Sequence, residues 1–465
     1  MMNPLSIDQI AQFARAAKQN GRDHGPITNL NTDSRTIRPG DLFVALRGEN
    51  FDGHQFVNDA FVRGAVGALV EQKWTGKTPP DFAILRVPDT LAAYQQIAAQ
   101  YRRSLGLKVV AITGSNGKTS TKDFTASVLA RRFRVTKTDG NFNNHVGLPR
   151  TILQAGSEHE IGVWEIGMNH PGEIAPLAAI AQPDVAIITN IGVAHIEFMG
   201  SRAAIAQEKG DLAASLGAEG ALLLNSSDEF AQTIAARTRG RVIFAGIEEG
   251  EVQARDIVQS ASGAEFELLE GAHRCRAVLP VPGLHMVQNA LLAVAAGRFF
   301  GISLEECAAG LASAPLTKAR LQIKTIAGVE FIDDSYNANP DSTKAALRTL
   351  AELETAGRRI AVLGQMLELG AESRRGHREV GETAASLGID HLIALGKEAK
   401  EIVAGAEAAG LTNITMAANP EEAASRLGEI VRPGDLVLVK GSRSARTERV
   451  LEEYSKSQME TRCAP

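Results

Sequence analysis

Leu107-Lys-Val-Val-Ala-Ile-Thr-Gly-Ser-Asn-Gly-Lys-Thr-Ser120 decides the fold of the chain's centre. An apolar, β-branched run gives way to a loop of small residues, then to Lys118-Thr119-Ser120 and an amphipathic helix. This is the pattern of a strand–loop–helix phosphate cradle. Gly114 and Gly117 let the backbone turn sharply and bring the loop's N–H groups toward phosphate oxygens, and the helix N-terminus adds partial positive charge. Lys118 is placed to reach a β- or γ-phosphate, and the Thr119 hydroxyl to take Mg²⁺. Gly114, Ser115, Asn116, Gly117, Lys118, Thr119 and Ser120 are therefore candidate nucleotide-binding residues. The competing possibility is a Gly-rich turn before a helix. It leaves the agreement of strand, loop, Lys-Thr and helix unexplained.

The 465 residues suit about three domains, and 44% hydrophobic with 22% charged residues is the balance of a globular α/β protein. A net charge of −5, with no basic block interleaved with aromatics, argues against a nucleic-acid partner. The three cysteines, Cys275, Cys307 and Cys463, lack metal or redox spacing and fit a reducing compartment. Ser6-Ile7-Asp8-Gln9, followed by Ile10, Phe13 and Ala16, predicts a capped amphipathic helix rather than a signal peptide. No run reaches transmembrane length, so membrane insertion is not expected. The expected location is the cytoplasm.

Residues 1–104 read as a small α/β unit with a strand near Asp41–Leu46, a helix near Val57–Gly64 and a loop at Lys77-Thr-Pro-Pro80. A second domain, 105–314, alternates apolar runs at 107–113, 161–166, 184–191, 220–224 and 241–245 with helix-period segments. That alternation predicts a mostly parallel sheet with helices on both faces. Period-two patterning over 252–282 suggests an antiparallel extension, followed by helices at 286–299 and 303–313. Ala314-Pro315-Leu316 marks the next boundary. Residues 315–465 carry strands at 329–333, 359–363, 391–395 and 435–439 and read as Rossmann-like. They lack a Gly-x-Gly-x-x-Gly after the first strand, which disfavours a dinucleotide.

Ligands of open parallel sheets sit at the carboxyl ends of the strands. Glu165 falls there, in Ile161-Gly-Val-Trp-Glu-Ile-Gly-Met-Asn169, where a carboxylate must pair or bind a cation. It either supports Mg²⁺ beside the phosphate loop or pairs with a Lys or Arg. His195 follows the next strand through Asn190-Ile-Gly-Val-Ala. A structural histidine is the commoner outcome, and an imidazole is an unusual Mg²⁺ ligand. Lys209 lies on the buried stripe of a helix over 201–216, with Ile205, Leu212 and Leu216. It must snorkel, pair or be modified, and spacing alone favours the first two. Phe331-Ile-Asp-Asp-Ser-Tyr-Asn-Ala-Asn-Pro340 runs from strand to helix, with Asn339 as cap and Pro340 in the first turn. Capping leaves Asp333, Asp334, Tyr336 and Asn337 unexplained. They offer a planar face and an amide to a base or ribose.

Together these residues resemble the Mur ligases, ATP-dependent amide-forming enzymes of peptidoglycan synthesis. Thr113-Gly-Ser-Asn-Gly-Lys-Thr119, Asp139-Gly-Asn-Phe-Asn-Asn-His-Val-Gly147, Glu165-Ile-Gly-Met-Asn169, Asn190-Ile-Gly-Val-Ala-His195 and Glu208-Lys-Gly210 follow the family's order along the whole chain. Asp334-Ser-Tyr-Asn-Ala-Asn-Pro340, Asp33-Ser-Arg35, Gly40-Asp-Leu-Phe-Val-Ala-Leu-Arg-Gly48 and Phe51-Asp-Gly-His54 look like the branch that joins D-alanyl-D-alanine to UDP-N-acetylmuramoyl-tripeptide. The Asp-Asn-Pro-Arg string usual in the diaminopimelate-adding branch is absent.

The resemblance implies three α/β domains: a small N-terminal one for the UDP substrate, a central parallel-sheet P-loop ATPase-like one, and a C-terminal Rossmann-like one for the dipeptide. It implies ATP and two Mg²⁺ ions, one held by Thr119 and Glu165, the other by His195 and a CO₂-derived carbamate on Lys209. Lys118, Glu165, His195 and Lys209 become the catalytic candidates. Asn289, Arg320 and Asp334 match ATP-contacting positions, with Tyr336 and Asn337 near them. Ser34, Arg35 and Phe43–Leu46 are candidates for the UDP end, and Asn141, Asn144 and His145 for the muramoyl peptide. Gln365–Gly370 and Lys440–Ser442 are candidates for the dipeptide, and a monomer is the expected state. Two departures stand out. Met286 occupies a position often filled by Asn, where no polar contact is expected from it, and Ala319 replaces a Gly before Arg320, which should alter the loop. A related ligase acting on another amino acid or on folate, and a nucleotide-driven switch, are the competing functions.

Overall fold

The computed structural model describes residues 2–19, 21 and 25–463, with side chains as far as Met459. Cys463 therefore lies outside the residues whose side chains are described. Three sheets organise the chain. The first has five strands in the spatial order 17–19, 83–87, 67–71, 42–44 and 30–31, parallel except for the first. Ser6 and Gln9 cap the opening helix Ile7–Ala14 reciprocally, as the sequence predicts.

The central sheet has nine strands, in the order 273–279, 263–270, 252–260, 241–247, 221–225, 185–188, 108–113, 161–165 and 135–137. It is parallel from 135–137 through 252–260 and antiparallel beyond, so 252–279 is the expected extension. Val109–Ile112 are fully buried because helices cover both faces. The strand 108–113 pairs with 161–165 on one side and 185–188 on the other, so three strand ends open onto one edge. That is the crevice position of an open α/β sheet.

The third sheet runs 322–326, 329–334, 436–440, 359–364, 391–395 and 414–417, parallel except for the first. Two of its strands escape the sequence pattern. Gln322–Ile326 is an edge strand with no buried residue, and Ile414–Ala417 buries only Ala417, so neither carries an apolar run. The linker between the second and third sheets is pinned from below. The buried Asp123 carboxylate accepts from Thr317 N at 2.9 Å and Thr317 Oγ1 at 2.6 Å, and from Lys137 at 2.6 Å. No described helix is long and apolar enough to cross a membrane.

Candidate active site

The loop after strand 108–113 is fixed by contacts only glycine allows. Gly114 has φ 148°, and a Cβ there would overlap Thr189 Oγ1. Gly117 has φ 80°, and its Cβ would sit 2.5 Å from Asn289 Oδ1. The Ser115 amide donates to Asn190 O at 2.9 Å and the Asn116 amide to Asn190 Oδ1 at 3.0 Å. These two N–H groups are therefore not free for phosphate, contrary to the simplest expectation, because the neighbouring strand end needs them to hold the loop. The open donors lie one step further on. Gly117 caps the helix Lys118–Leu129 without any side-chain hydrogen bond, leaving the first-turn amides exposed to the cleft. Lys118 Nζ folds back onto Gly114 O at 2.8 Å. Crowding by protein lowers its pKa, while Glu165 opposes the shift.

Thr119 Oγ1 donates to Glu165 Oε2 at 3.0 Å, and Asn143 Nδ2 donates to Oε1 at 2.8 Å. Glu165 is buried and has no Lys or Arg within ion-pair distance among the described residues, so the salt-bridge alternative does not apply. A hydroxyl and an uncompensated carboxylate beside an open helix N-terminus suit a hard cation shared with phosphate. No group of three acidic, imidazole or thiol ligands occurs among the described residues, so these two side chains do not by themselves make a complete cation site. His195 caps the short helix Ile196–Met199 at φ 62°, with Nδ1 2.6 Å from Glu368 Oε2.

Lys209 has no ion-pair or hydrogen-bond partner among the described residues, and it is 1% exposed. Its neighbour Glu208 is committed to the amides of Gly172 and Ile174, both at 2.8 Å. Burial pulls the Lys209 pKa well below its ordinary value, the Lys118 charge adds to this, and Glu208 opposes it.

The opposite wall belongs to the C-terminal sheet. Asp334 pairs with the buried Lys440 at 2.5 Å, and Lys440 also donates to Asn337 O at 3.0 Å. Lys440 is thus spent on the Asp334 loop, where its position had suggested a dipeptide contact. Arg320 stacks over Tyr336 at 4.1 Å and approaches Thr119 Oγ1 at 3.5 Å. Asn289 Nδ2 lies 3.9 Å from Met286 Sδ, a weak sulfur acceptor. Met286 therefore does make a polar contact, because a thioether retains lone pairs. Ala319 keeps φ 58°, the left-handed backbone a glycine would adopt freely. His285 faces the same cleft, and burial pushes its pKa down to about 4.

The walls enclose a cleft of ≈ 530 Å³ that gathers Ser115–Ser120, Asn141, Asn144, His145, Glu165, His195, Asn289, Arg320, Asp334, Tyr336 and Asn337. Asn144 also has a local duty, since its Oδ1 accepts from the Val146 and Gly147 amides. Ser34 and Arg35 are not brought to this cleft. They form the turn 34–36 on the N-terminal domain, where the exposed Arg35 pairs with Asp33 at 2.7 Å. Phe43–Leu46 are buried core. Sequence reasoning overlooked Asn143, His285, Asp341 and the contact of Glu368 with His195. Asn143 lies inside a quoted motif, but its Glu165 partner is set by folding alone.

Three family models match the chain: "Mur ligase family, catalytic domain" over 26–102, "Mur ligase middle domain" over 112–297 and "Mur ligase, glutamate ligase domain" over 319–443. The chain belongs to the Mur ligase family. This Mur ligase is 37% identical to the UDP-N-acetylmuramoyl-tripeptide–D-alanyl-D-alanine ligase of Bacillus subtilis, over 97% of this chain and 98% of the relative. Its structure is similar to a crystal structure of MurF from Acinetobacter baumannii, with a TM-score of 0.90, 34% identity, and 98% and 99% of the two chains covered. It also resembles a MurF ligase from Thermotoga maritima in complex with ADP, at a TM-score of 0.85, 30% identity, and 93% and 98% coverage.

Proposed function

We propose that this Mur ligase joins UDP-N-acetylmuramoyl-tripeptide to D-alanyl-D-alanine at the expense of ATP, in the cytoplasm and as a monomer. Full-length similarity to ligases of that name supports the substrate pair. The chemistry rests on one observation, the Thr119–Glu165 pair beside an uncapped helix N-terminus and Lys118.

Residues 105–314 bind ATP, its phosphate chain lying along the first-turn amides and Lys118. Asn289, Arg320, Asp334, Tyr336 and Asn337 surround the nucleoside. Residues 1–104 take the UDP end, 315–465 the dipeptide, and Asn141, Asn144 and His145 the muramoyl peptide. The tripeptide's terminal carboxylate attacks the γ-phosphorus, forming an acyl phosphate and releasing ADP. The dipeptide amine then attacks the acyl carbon, phosphate leaves, and the amine's surplus proton passes to solvent. Thr119 with Glu165, and His195 with a carbamylated Lys209, would hold two Mg²⁺ ions, which when bound supply charge neutralisation between reacting anions. The buried Lys209 fits that modification: desolvation favours its neutral amine, which adds to CO₂ and loses a proton to become an anionic oxygen donor. Asn339 donates to Asn116 at 2.7 Å and Asp341 accepts from Val193 N at 3.0 Å, docking the C-terminal domain on the phosphate loop and shielding the acyl phosphate from water.

The test is an ATP-dependent ligation assay with UDP-muramoyl peptides of different lengths and free D-alanine, D-alanyl-D-alanine or diaminopimelate as acceptors. ADP release should require the UDP-tripeptide, and amide formation should follow only with the dipeptide. Brisk ATP hydrolysis without either substrate would overturn the proposal.

A further inference from the structure

Two non-glycine residues in left-handed backbone face each other across the interdomain cleft: His195 at φ 62° and Glu368 at φ 61°. Such backbone costs energy and persists where the surrounding structure imposes it, often at functional sites. The loop carrying Glu368 is anchored on both sides of it. Met366 and Leu369 are buried, the Met366 amide donates to His377 Nε2 at 2.9 Å, and the Gln365 amide donates to Leu395 O at 3.0 Å. Between these anchors Glu368 projects into the cleft, with Oε2 2.6 Å from His195 Nδ1. Its backbone carbonyl accepts from the Glu197 amide at 3.3 Å, a second bridge between the same two loops. Among the described residues no Lys or Arg lies within ion-pair distance of Glu368, so the His195 ring is the group it faces.

We propose that Glu368 is a positioning residue that reaches from the C-terminal domain to fix the ring of His195 and so completes the central domain's cation site when the domains dock. Glu368 Oε2 stands beside Nδ1 at ion-pair distance but outside hydrogen-bond geometry, so a small rotation of the ring is what would let the carboxylate hold a proton on Nδ1 and leave the Nε2 lone pair for a metal, as in other carboxylate–histidine–metal arrangements. This inference rests on His195 being a cation ligand, as proposed above. It adds that the ligand is set correctly only in the docked arrangement.

Glu368→Ala and Glu368→Gln should be compared with the wild type by two measurements. One is ligation kinetics across a Mg²⁺ series. The other is Mn²⁺ affinity by electron paramagnetic resonance, in the presence of a non-hydrolysable ATP analogue and UDP-tripeptide. Glu368→Ala should weaken Mn²⁺ binding and raise the half-saturating Mg²⁺ concentration by roughly 10–100-fold, while Glu368→Gln, near-isosteric and still an acceptor, recovers most of both. Unchanged metal affinity in Glu368→Ala would overturn the proposal, as would a higher KM for the dipeptide alone, which would make Glu368 a substrate contact. Loss of ligation in the wild type itself would count against the proposed function, whereas the Mn²⁺ titration still reads the role of Glu368.

Discussion

On the central-domain side of the cleft, the functional groups sit on strand ends and a helix start within one sheet, held by short-range constraints such as the Gly114 contact with Thr189 and the Asn190 bonds to the loop. On the C-terminal side, Asp334, Tyr336, Asn339, Asp341 and Glu368 are held by their own sheet and touch the first wall at a few points. One wall is prepared by its own packing. On the proposed function, the other contributes through its docking contacts. Changes in the first wall should therefore remove chemistry, and changes in the second should alter how the cleft closes.

Lys209→Met gives the largest expected effect. The thioether fills the cavity of a buried amine that has no partner among the described residues. Removing that polar burial should stabilise the fold by about 1–3 kcal/mol, while ligation falls to background. A melting temperature that rises as activity disappears would separate function from stability on this wall. Retained turnover would reject any role for Lys209 in holding a cation.

Asn339→Ala cuts the bond from the docked wall to the phosphate loop and also removes the cap of helix Pro340–Glu352. Cap loss should cost about 1 kcal/mol of stability. Asp341→Asn leaves the Asn339 cap in place and weakens the acceptor for the Val193 amide, at the added loss of a 3.9 Å approach to Lys344 and of a first-turn negative charge. It should lower kcat roughly tenfold, consistent with a charged hydrogen bond of about 1.5 kcal/mol or more, and should increase ATP hydrolysis uncoupled from ligation. Equal coupling in the variant and the wild type would show that this contact does not shield the acyl phosphate.

His285 tests the border of the two walls by pH. Its folded pKa of about 4 lies below the ordinary histidine value of 6.5, so the unfolded chain binds the proton more readily. Its contribution to stability is therefore intact above about pH 6.5 and declines as the pH falls toward 4. The ring retains some solvent access at the cleft, so the loss between pH 7 and pH 5 should be about 1 kcal/mol rather than the full shift. Denaturant unfolding at both pH values should show that loss, and His285→Gln should reduce it.

The same contrast explains what the sequence made legible. The phosphate loop, Glu165 and the parallel strands announce themselves because strand, turn and helix signals are local, and a carboxylate ending an apolar run is conspicuous. The burial of Lys209 followed from helical spacing alone, although its lack of a partner did not. Across the cleft the chemistry depends on approach. Glu368 lies in a loop with no local sign of His195, and Lys440 looked free for a ligand until folding set it against Asp334. Ser34 and Arg35 show the converse, since a motif that reads as a site is placed on a different surface. Strands 322–326 and 414–417 went unseen because edge strands bury too little to leave a pattern.

Ala319 gives the smallest and sharpest measure of how the second wall is held. Its φ of 58° costs an alanine about 1–2 kcal/mol relative to ordinary backbone, while glycine loses about 0.5–1 kcal/mol more chain entropy on folding. Ala319→Gly should thus leave stability unchanged or raise it by up to about 1 kcal/mol. Two contacts hold the neighbouring arginine independently of the strain: the Tyr336 amide donates to Ala319 O at 3.4 Å, and Arg320 stacks on the Tyr336 ring. If they suffice, KM for ATP should move less than about twofold, since no charged or bidentate contact is lost. A larger rise would mean that the methyl group keeps Arg320 in place by restricting the loop, and the C-terminal wall would then be partly preset before it docks.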